Sequence, residues 1–159
     1  MKHYEDSDYF DKNRTKLKHN EQNAGGFRCT HCHYFVVMNE FMGTQNRNHC
    51  NNCFWSKHVD IKTGDRKSSC QGGMQPVGLT LKNEGFGKVG ELMFIHLCLL
   101  CLKININRVA RDDPEQYIFD IFRESHNLEN TLKSRLVRLG ILLLDQEDET
   151  IINTQLFGT

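Results

Sequence analysis

The sequence predicts an α+β chain: a small β-rich part folded around paired cysteines, then a helical extension ending in a hairpin. Three observations predict it. Six of the seven cysteines fall in C-x-x-C pairs, Cys29/Cys32, Cys50/Cys53 and Cys98/Cys101, with Cys70 alone. Apolar and polar residues alternate with period two between Val77 and Asn107, the pattern of half-buried strands. After Asp112 the period lengthens to that of helices and the charge reverses. Residues 27–111 carry eleven Lys/Arg against five Asp/Glu, and residues 112–159 carry four against ten. The overall charge of zero hides this asymmetry.

Taken in order, residues 1–26 are polar, mix both charges and show no apolar period. They are expected to be disordered or loosely attached, with NAGG at 23–26 as the hinge into the folded part. FRCTHCHYFVV (27–37) reads as strand, knuckle, strand, and KTGDRKSSCQGG (62–73) as a polar connection. Val77, Leu79 and Leu81 form the apolar face of a strand, and KNEGFGK (82–88) breaks it. In the next strand Met93, Ile95 and Leu97 face one way and Phe94, His96 and Cys98 the other. Ile104 and Ile106 then alternate with Lys103, Asn105 and Asn107. The result is a three-stranded antiparallel meander with the third knuckle in its last hairpin. Beyond it, Asp113 is expected as an N-cap, with Pro114 at the first helical position and Glu115 in the first turn. Tyr117, Ile118, Ile121 and Phe122 form that helix's apolar stripe. A second helix is expected from about 128 to 139, carrying Leu132, Leu136 and Leu139 and stopped by Gly140. Residues 141–157 read as a hairpin closed by DQEDE. The domain division is thus a tail at 1–26, a cysteine-bearing domain at 27–111 and an acidic helical extension at 112–159.

The N-terminus has no apolar segment of signal-peptide type. The most apolar run, ELMFIHLCLLCL, is shorter than the ~20 residues a membrane span needs. The expected location is therefore cytoplasmic, where thiols stay reduced. An odd cysteine count argues against a disulfide framework, and three thioredoxin-like motifs would each need a βαβ context. Thiolate metal ligation remains. Zinc takes four ligands in a tetrahedron, and Cys29-x2-Cys32-x17-Cys50-x2-Cys53 has the spacing of a four-cysteine site. Cys70, Cys98 and Cys101 need a fourth donor. His58 is the first choice, because it lies on a connection able to fold back, and His96, two residues from Cys98, is the runner-up. The alternative partition joins Cys29/Cys32 with Cys98/Cys101 and leaves Cys50, Cys53, His58 and Cys70 together. Either way two zinc ions are expected, held in a double zinc-ribbon-like domain.

RNHC (47–50), SKHVD (56–60), GDR (64–66), Cys70 with GGM (72–74), Pro76, IHLCLLC (95–101) and NRVARDD (107–113) follow one another in a specific order. In these motifs residues 27 to about 113 resemble the RNHCP domain, a small and largely bacterial family named for its pentapeptide. Asn51 stands where that name has Pro, and the chain lacks the Gly that related members tend to have before the two aspartates. The resemblance implies a zinc-binding domain in a bacterial cytosol and supplies no substrate. It does not cover the chain from Asn127 onward.

Three functions compete for the polar residues around the knuckles. An RNA- or ribosome-binding module would use Arg47, His49, Lys57 and Arg66 on phosphate, with Arg28, Lys62 and Lys67 nearby and His33, Tyr34, Phe54 and Trp55 for stacking. A protein-interaction adaptor would keep its zinc purely structural and dock a partner through the acidic extension. A zinc-dependent hydrolase would use Cys70, Cys98 and Cys101 with water in the fourth place, and His58 with Asp60 or Asp65 as the acid–base pair. All-thiolate sites are mostly structural, so no catalytic residue is assigned. The bland alternative has Arg47, Asn48, His49, His58, Asp60, Asp65, Arg66, Arg108, Asp112 and Asp113 orienting the ligands or pairing among themselves, with Asp65–Arg66 capping a turn and Asp112–Asp113 capping the helix at Pro114.

Overall fold

The computed structural model describes residues 25–38 and 47–158. The expected tail at 1–26 lies almost wholly outside the described residues. The first hairpin joins β1 (Gly26–Arg28) to β2 (Phe35–Val37) around Cys29 and Cys32. It forms a two-stranded sheet of its own. The main sheet is antiparallel in the order β3 (Ser56–Lys57), β4 (Gly73–Leu81), β5 (Leu92–Cys98), β6 (Ile104–Arg108). The expected meander is β4 to β6, and the Cys98/Cys101 knuckle closes its last hairpin. β3 adds a short edge whose pairing with β4 covers Gly73 and Met74. Pro76 is tolerated because β3 does not reach it and because the register slips between Pro76 and Gly78. A proline that cannot donate belongs at such an edge or bulge.

Both faces of the sheet are covered. Leu79, Leu92 and Phe94 pack with Phe54 from the second knuckle and with Ile118, Phe119 and Phe122 from helix α1 (Glu115–Ser125). Leu144 and Ile152 complete that cluster. On the other face Val77, Ile95 and Ile104 pack with Leu136 from helix α2 (Asn130–Arg138), and with Leu128, Leu132, Ile141 and Leu143. The acidic extension therefore supplies the lid of each core layer. Gly78 makes one of these contacts possible: a β-carbon there would lie 2.5 Å from a Leu143 methyl and 3.3 Å from the Ser125 side chain.

Four local expectations change. The register slip between Pro76 and Gly78 turns Val77 to the face opposite Leu79 and Leu81. The α1 stripe is Ile118, Phe119, Phe122 and Ser125, with Tyr117 exposed. Asp113 does not cap α1, whose N-cap position is Pro114 without a side-chain cap, because its carboxylate is taken elsewhere, as described below. The C-terminal hairpin is replaced by helix α3 (Glu149–Phe157). DQEDE is its entry, not a strand turn. Asp145 accepts from the Glu147 N–H, and Asp148 accepts from the Asp145 N–H, a reciprocal cap that nucleates helix. The apolar run before it packs on β4 through Leu143 and Leu144, and the Leu144 N–H donates to Leu79 O. Gly158, at φ 71°, ends α3. Gln155 holds α3 to the sheet by accepting from the Leu92 N–H and donating to Gly90 O.

Among the described residues no helix is long and apolar enough to cross a membrane.

Candidate metal centres

All three C-x-x-C turns have one backbone geometry. The N–H of the first cysteine donates to the carbonyl five residues on, in Tyr34, Trp55 and Lys103. The N–H four residues on, in His33, Phe54 and Leu102, donates back to the first cysteine's carbonyl, all at 2.8–3.0 Å. Those three residues sit at φ 63°, 62° and 65°, a left-handed conformation costing a side-chain-bearing residue about 1–3 kcal/mol. Three non-glycine residues held there mark turns whose shape is imposed from outside. Gln71, just after Cys70, is left-handed as well, at φ 57°.

The ligand atoms converge in two groups, Cys29/Cys32/Cys50/Cys53 and His58/Cys70/Cys98/Cys101, each within 4.8 Å. This settles the partition left open by spacing, and it selects His58 over His96. The distances suit zinc. Sulfurs at the usual ~2.3 Å from a tetrahedral ion lie about 3.8 Å apart. Cys29 to Cys53 is 3.6 Å, Cys32 to Cys50 is 3.7 Å and Cys70 to Cys98 is 3.7 Å. These are far beyond the ~2.05 Å of a disulfide, and all seven cysteines are free. In the second group His58 directs Nδ1 at Cys101 Sγ, 3.2 Å away, so a zinc ion held there would take Nδ1 and leave the proton on Nε2. Each group can hold one zinc ion, with four protein donors and no place kept for water, as structural zinc requires. In the second group His58 fills the position that a hydrolytic site would leave open.

Each group also has a thiol whose pKa is lowered. Burial pushes the Cys98 thiol up, but the N–H groups of Cys101 and Leu100 and the Cys101 and His58 side chains outweigh it, lowering it to about 6. Burial likewise opposes ionisation of Cys32, but the Tyr34 backbone, Asn52 and the neighbouring cysteines bring it to about 7. Cys50, where burial dominates, is raised to about 11. The thiolates cannot all form together without a cation among them.

Gly72 is built into the second centre: a β-carbon there would lie 2.9 Å from Cys98 Sγ and 2.7 Å from Leu100 Cβ. Its carbonyl accepts from the His58 N–H at 2.8 Å, which aligns His58 with Cys70 across the β3–β4 edge. The first centre has no such scaffold. Cys29, Val36 and Cys50 are its buried interior, with Phe27, Cys32 and Cys53 around them.

Arg47 and His49, expected on the binding face, are buried and paired. Their side chains are 0% and 2% exposed and are taken up by other residues, although Arg47 is among the residues lining the cleft described below. Arg47 donates to both oxygens of Asp112 at 2.6 and 2.7 Å, to Asp113 at 2.5 Å, and through Nε to His49 O. His49 Nε2 lies 2.7 Å from the other Asp113 oxygen, which also accepts from the Ala110 N–H. These residues pair with one another and join the second knuckle to the start of α1. His96 is a strut rather than a ligand. Its Nε2 meets Phe54 O at 2.7 Å, and its Nδ1 meets the Asn107 amide at 2.8 Å. Complete burial lowers its pKa to about 3, so the ring is neutral. Asp60 and Asp65, offered above as acid–base partners, cap their own turn: Asp60 accepts from Gly64 and Arg66, and Asp65 from Ile61, Lys62 and Lys67. Lys57 and Arg66 do face solvent at least in part.

No curated protein and no solved structure matches the chain. The family model of the RNHCP domain matches residues 24–119. That span holds both zinc-competent groups, the Arg47–Asp113 pairing and the first turn of α1. The chain belongs to the RNHCP domain family.

Proposed function

We propose that this chain is an RNA-binding module of a bacterial cytoplasm, directed at the ribosome or another structured RNA, in which the two zinc centres are structural. The observation that carries the reading is a cleft of about 390 Å³ beside the first centre. Arg28, Lys57 and Arg66 line it together with Phe27, Trp55 and Val59, and no carboxylate lines it among the described residues. Cations around an apolar floor suit a phosphate backbone with exposed bases. Arg47 and His49 serve that face from behind, by fixing the knuckle that carries Trp55 and Lys57.

The test is binding of the zinc-loaded chain to RNA across a salt series. Affinity is expected to fall with a log–log slope of roughly −0.7 per phosphate neutralised. The double variant Lys57→Gln, Arg66→Gln is expected to flatten that slope by about one to two such steps. A second reading, a protein partner on the acidic extension, is favoured by Val137, Leu139 and Leu142, which are exposed. Capture from a bacterial lysate with and without RNase separates the two: loss of all retained material on RNase treatment supports RNA. Retention of one protein partner after RNase, with no RNA cross-linked to the cleft, overturns it.

A further inference from the structure

The seven cysteines are not equally reachable. Cys29, Cys50 and Cys98 are buried, Cys32, Cys53 and Cys70 are half-buried, and Cys101 alone is exposed. It stands on the third knuckle, where Leu99, Leu100 and Leu102 are exposed beside it. The sulfurs also differ in what donates to them. In the first centre the His31 N–H points at Cys29 Sγ, the Asn52 N–H at Cys50 Sγ and the Asn52 side-chain amide at Cys32 Sγ, at 3.4, 3.3 and 3.6 Å. Among the described residues no backbone or amide N–H donates to Cys101 Sγ, which meets His58 Nδ1 and the other cysteines of its group. An N–H on a thiolate draws off charge and lowers its nucleophilicity. Oxidation of cysteine follows thiolate character and exposure, and both single out Cys101.

We infer that Cys101 is a modification site for hydroperoxides, through which oxidation empties the second centre of zinc while the first keeps its own. The Cys101 thiolate attacks the O–O bond. A sulfenic acid forms, and the departing alkoxide or hydroxide takes one proton to leave as alcohol or water. The thiolate of Cys98 or Cys70, each with its sulfur within 4.8 Å of Cys101 Sγ, then attacks the oxidised sulfur. An S–S bond forms, the S–O bond breaks, and hydroxide leaves with a second proton as water. Two electrons pass from two sulfurs to the peroxide, so no further oxidant is needed. His58 and one cysteine remain as donors, too few for a structural zinc ion.

The fold tolerates that loss because the sheet has apolar layers on both faces. What gives way is the short edge β3, which runs directly into His58 and pairs with β4 at Gly73 and Met74. Oxidation therefore loosens the side of the cleft that carries Lys57 and leaves the sheet standing, so that a reducing thiol reverses it.

The experiment exposes the full chain, loaded with two zinc ions, to hydrogen peroxide. A chromogenic chelator follows released zinc, and peptide mapping locates disulfides. One of the two ions is expected to leave, with Cys101 in the disulfide and Cys29, Cys32, Cys50 and Cys53 still reduced. A dithiol with added zinc is expected to restore both ions. Cys101→His keeps four donors without the exposed thiolate, and is expected to slow the release by roughly tenfold or more. If that variant does not hold two ions, the disulfide map of the unaltered chain decides alone. Retention of both ions, loss of both together, oxidation of the first centre ahead of the second, or a disulfide that omits Cys101 overturns the inference. None of these readouts depends on what the cleft binds.

Discussion

The two zinc centres share a ligand turn and differ in what surrounds them. The first sits between a hairpin of two three-residue strands and a knuckle, and Val36 and Phe27 are the apolar company its cysteines keep. The second sits at the end of a four-stranded sheet with apolar layers on both faces. Ordering residues 25–38 costs roughly 1–2 kcal/mol per residue, and two apolar side chains return only about 1.5–3 kcal/mol each. The shortfall, roughly 8–25 kcal/mol on these figures, brackets the ~10–16 kcal/mol that structural zinc supplies in small domains. In the first centre the metal replaces a core. In the second it fastens the end of one that exists already. The buried Arg47–Asp113 pair spans the difference, since it ties the metal-dependent knuckle to the helix lying on the sheet.

The comparison is most easily broken by removing one ligand from each centre. Cys29→Ser is expected to reduce the zinc content from two ions to one and to abolish amide protection over 25–38, at a cost on the order of 10 kcal/mol to that lobe. His58→Ala is expected to reduce the zinc content by the same one ion while β4, β5 and β6 keep their protection. His96→Ala is expected to retain both ions, because His96 holds Phe54 O and Asn107 rather than a metal. Elemental analysis with hydrogen exchange checks all three, and loss of zinc from His96→Ala but not His58→Ala would reverse the ligand assignment.

Arg47→Met sharpens the link between the regions. It leaves Asp113 buried with one cation fewer, and breaking such a pair costs about 3–5 kcal/mol. Chemical denaturation should show that loss, and adding Asp113→Asn should recover part of it. A smaller effect is expected from Gly72→Ala. Its β-carbon would press on Cys98 Sγ and Leu100, and such overpacking costs about 1–3 kcal/mol. The second zinc should then yield to weaker chelators while the first is unaffected.

How much of this was legible in the sequence follows from distance along the chain. The cysteine pairs are local, so spacing alone announced them, and period two located β4, β5 and β6. His58 was reachable because it sits on the one connection able to fold back on Cys70. The buried roles of Arg47 and His49 were not, because their partners Asp112 and Asp113 lie more than sixty residues away. A signal was present all the same: RNH and RDD are complementary in charge, and both belong to the resemblance. The last helix was missed for a local reason. ILLL fits a strand as well as a buried segment, and Asp145 with Asp148 reads as a turn until their reciprocal cap is seen.

The most direct measurement is hydrogen exchange on the full chain after both metals are stripped under reducing conditions. Amides of β4 and β5 are expected to remain protected while those of 25–38 and 49–55 exchange freely, and adding back one equivalent of zinc per site should restore the lobe. Loss of protection throughout the chain in one step, or a metal-free lobe as protected as the sheet, would contradict the distinction between a metal that replaces a core and one that fastens it.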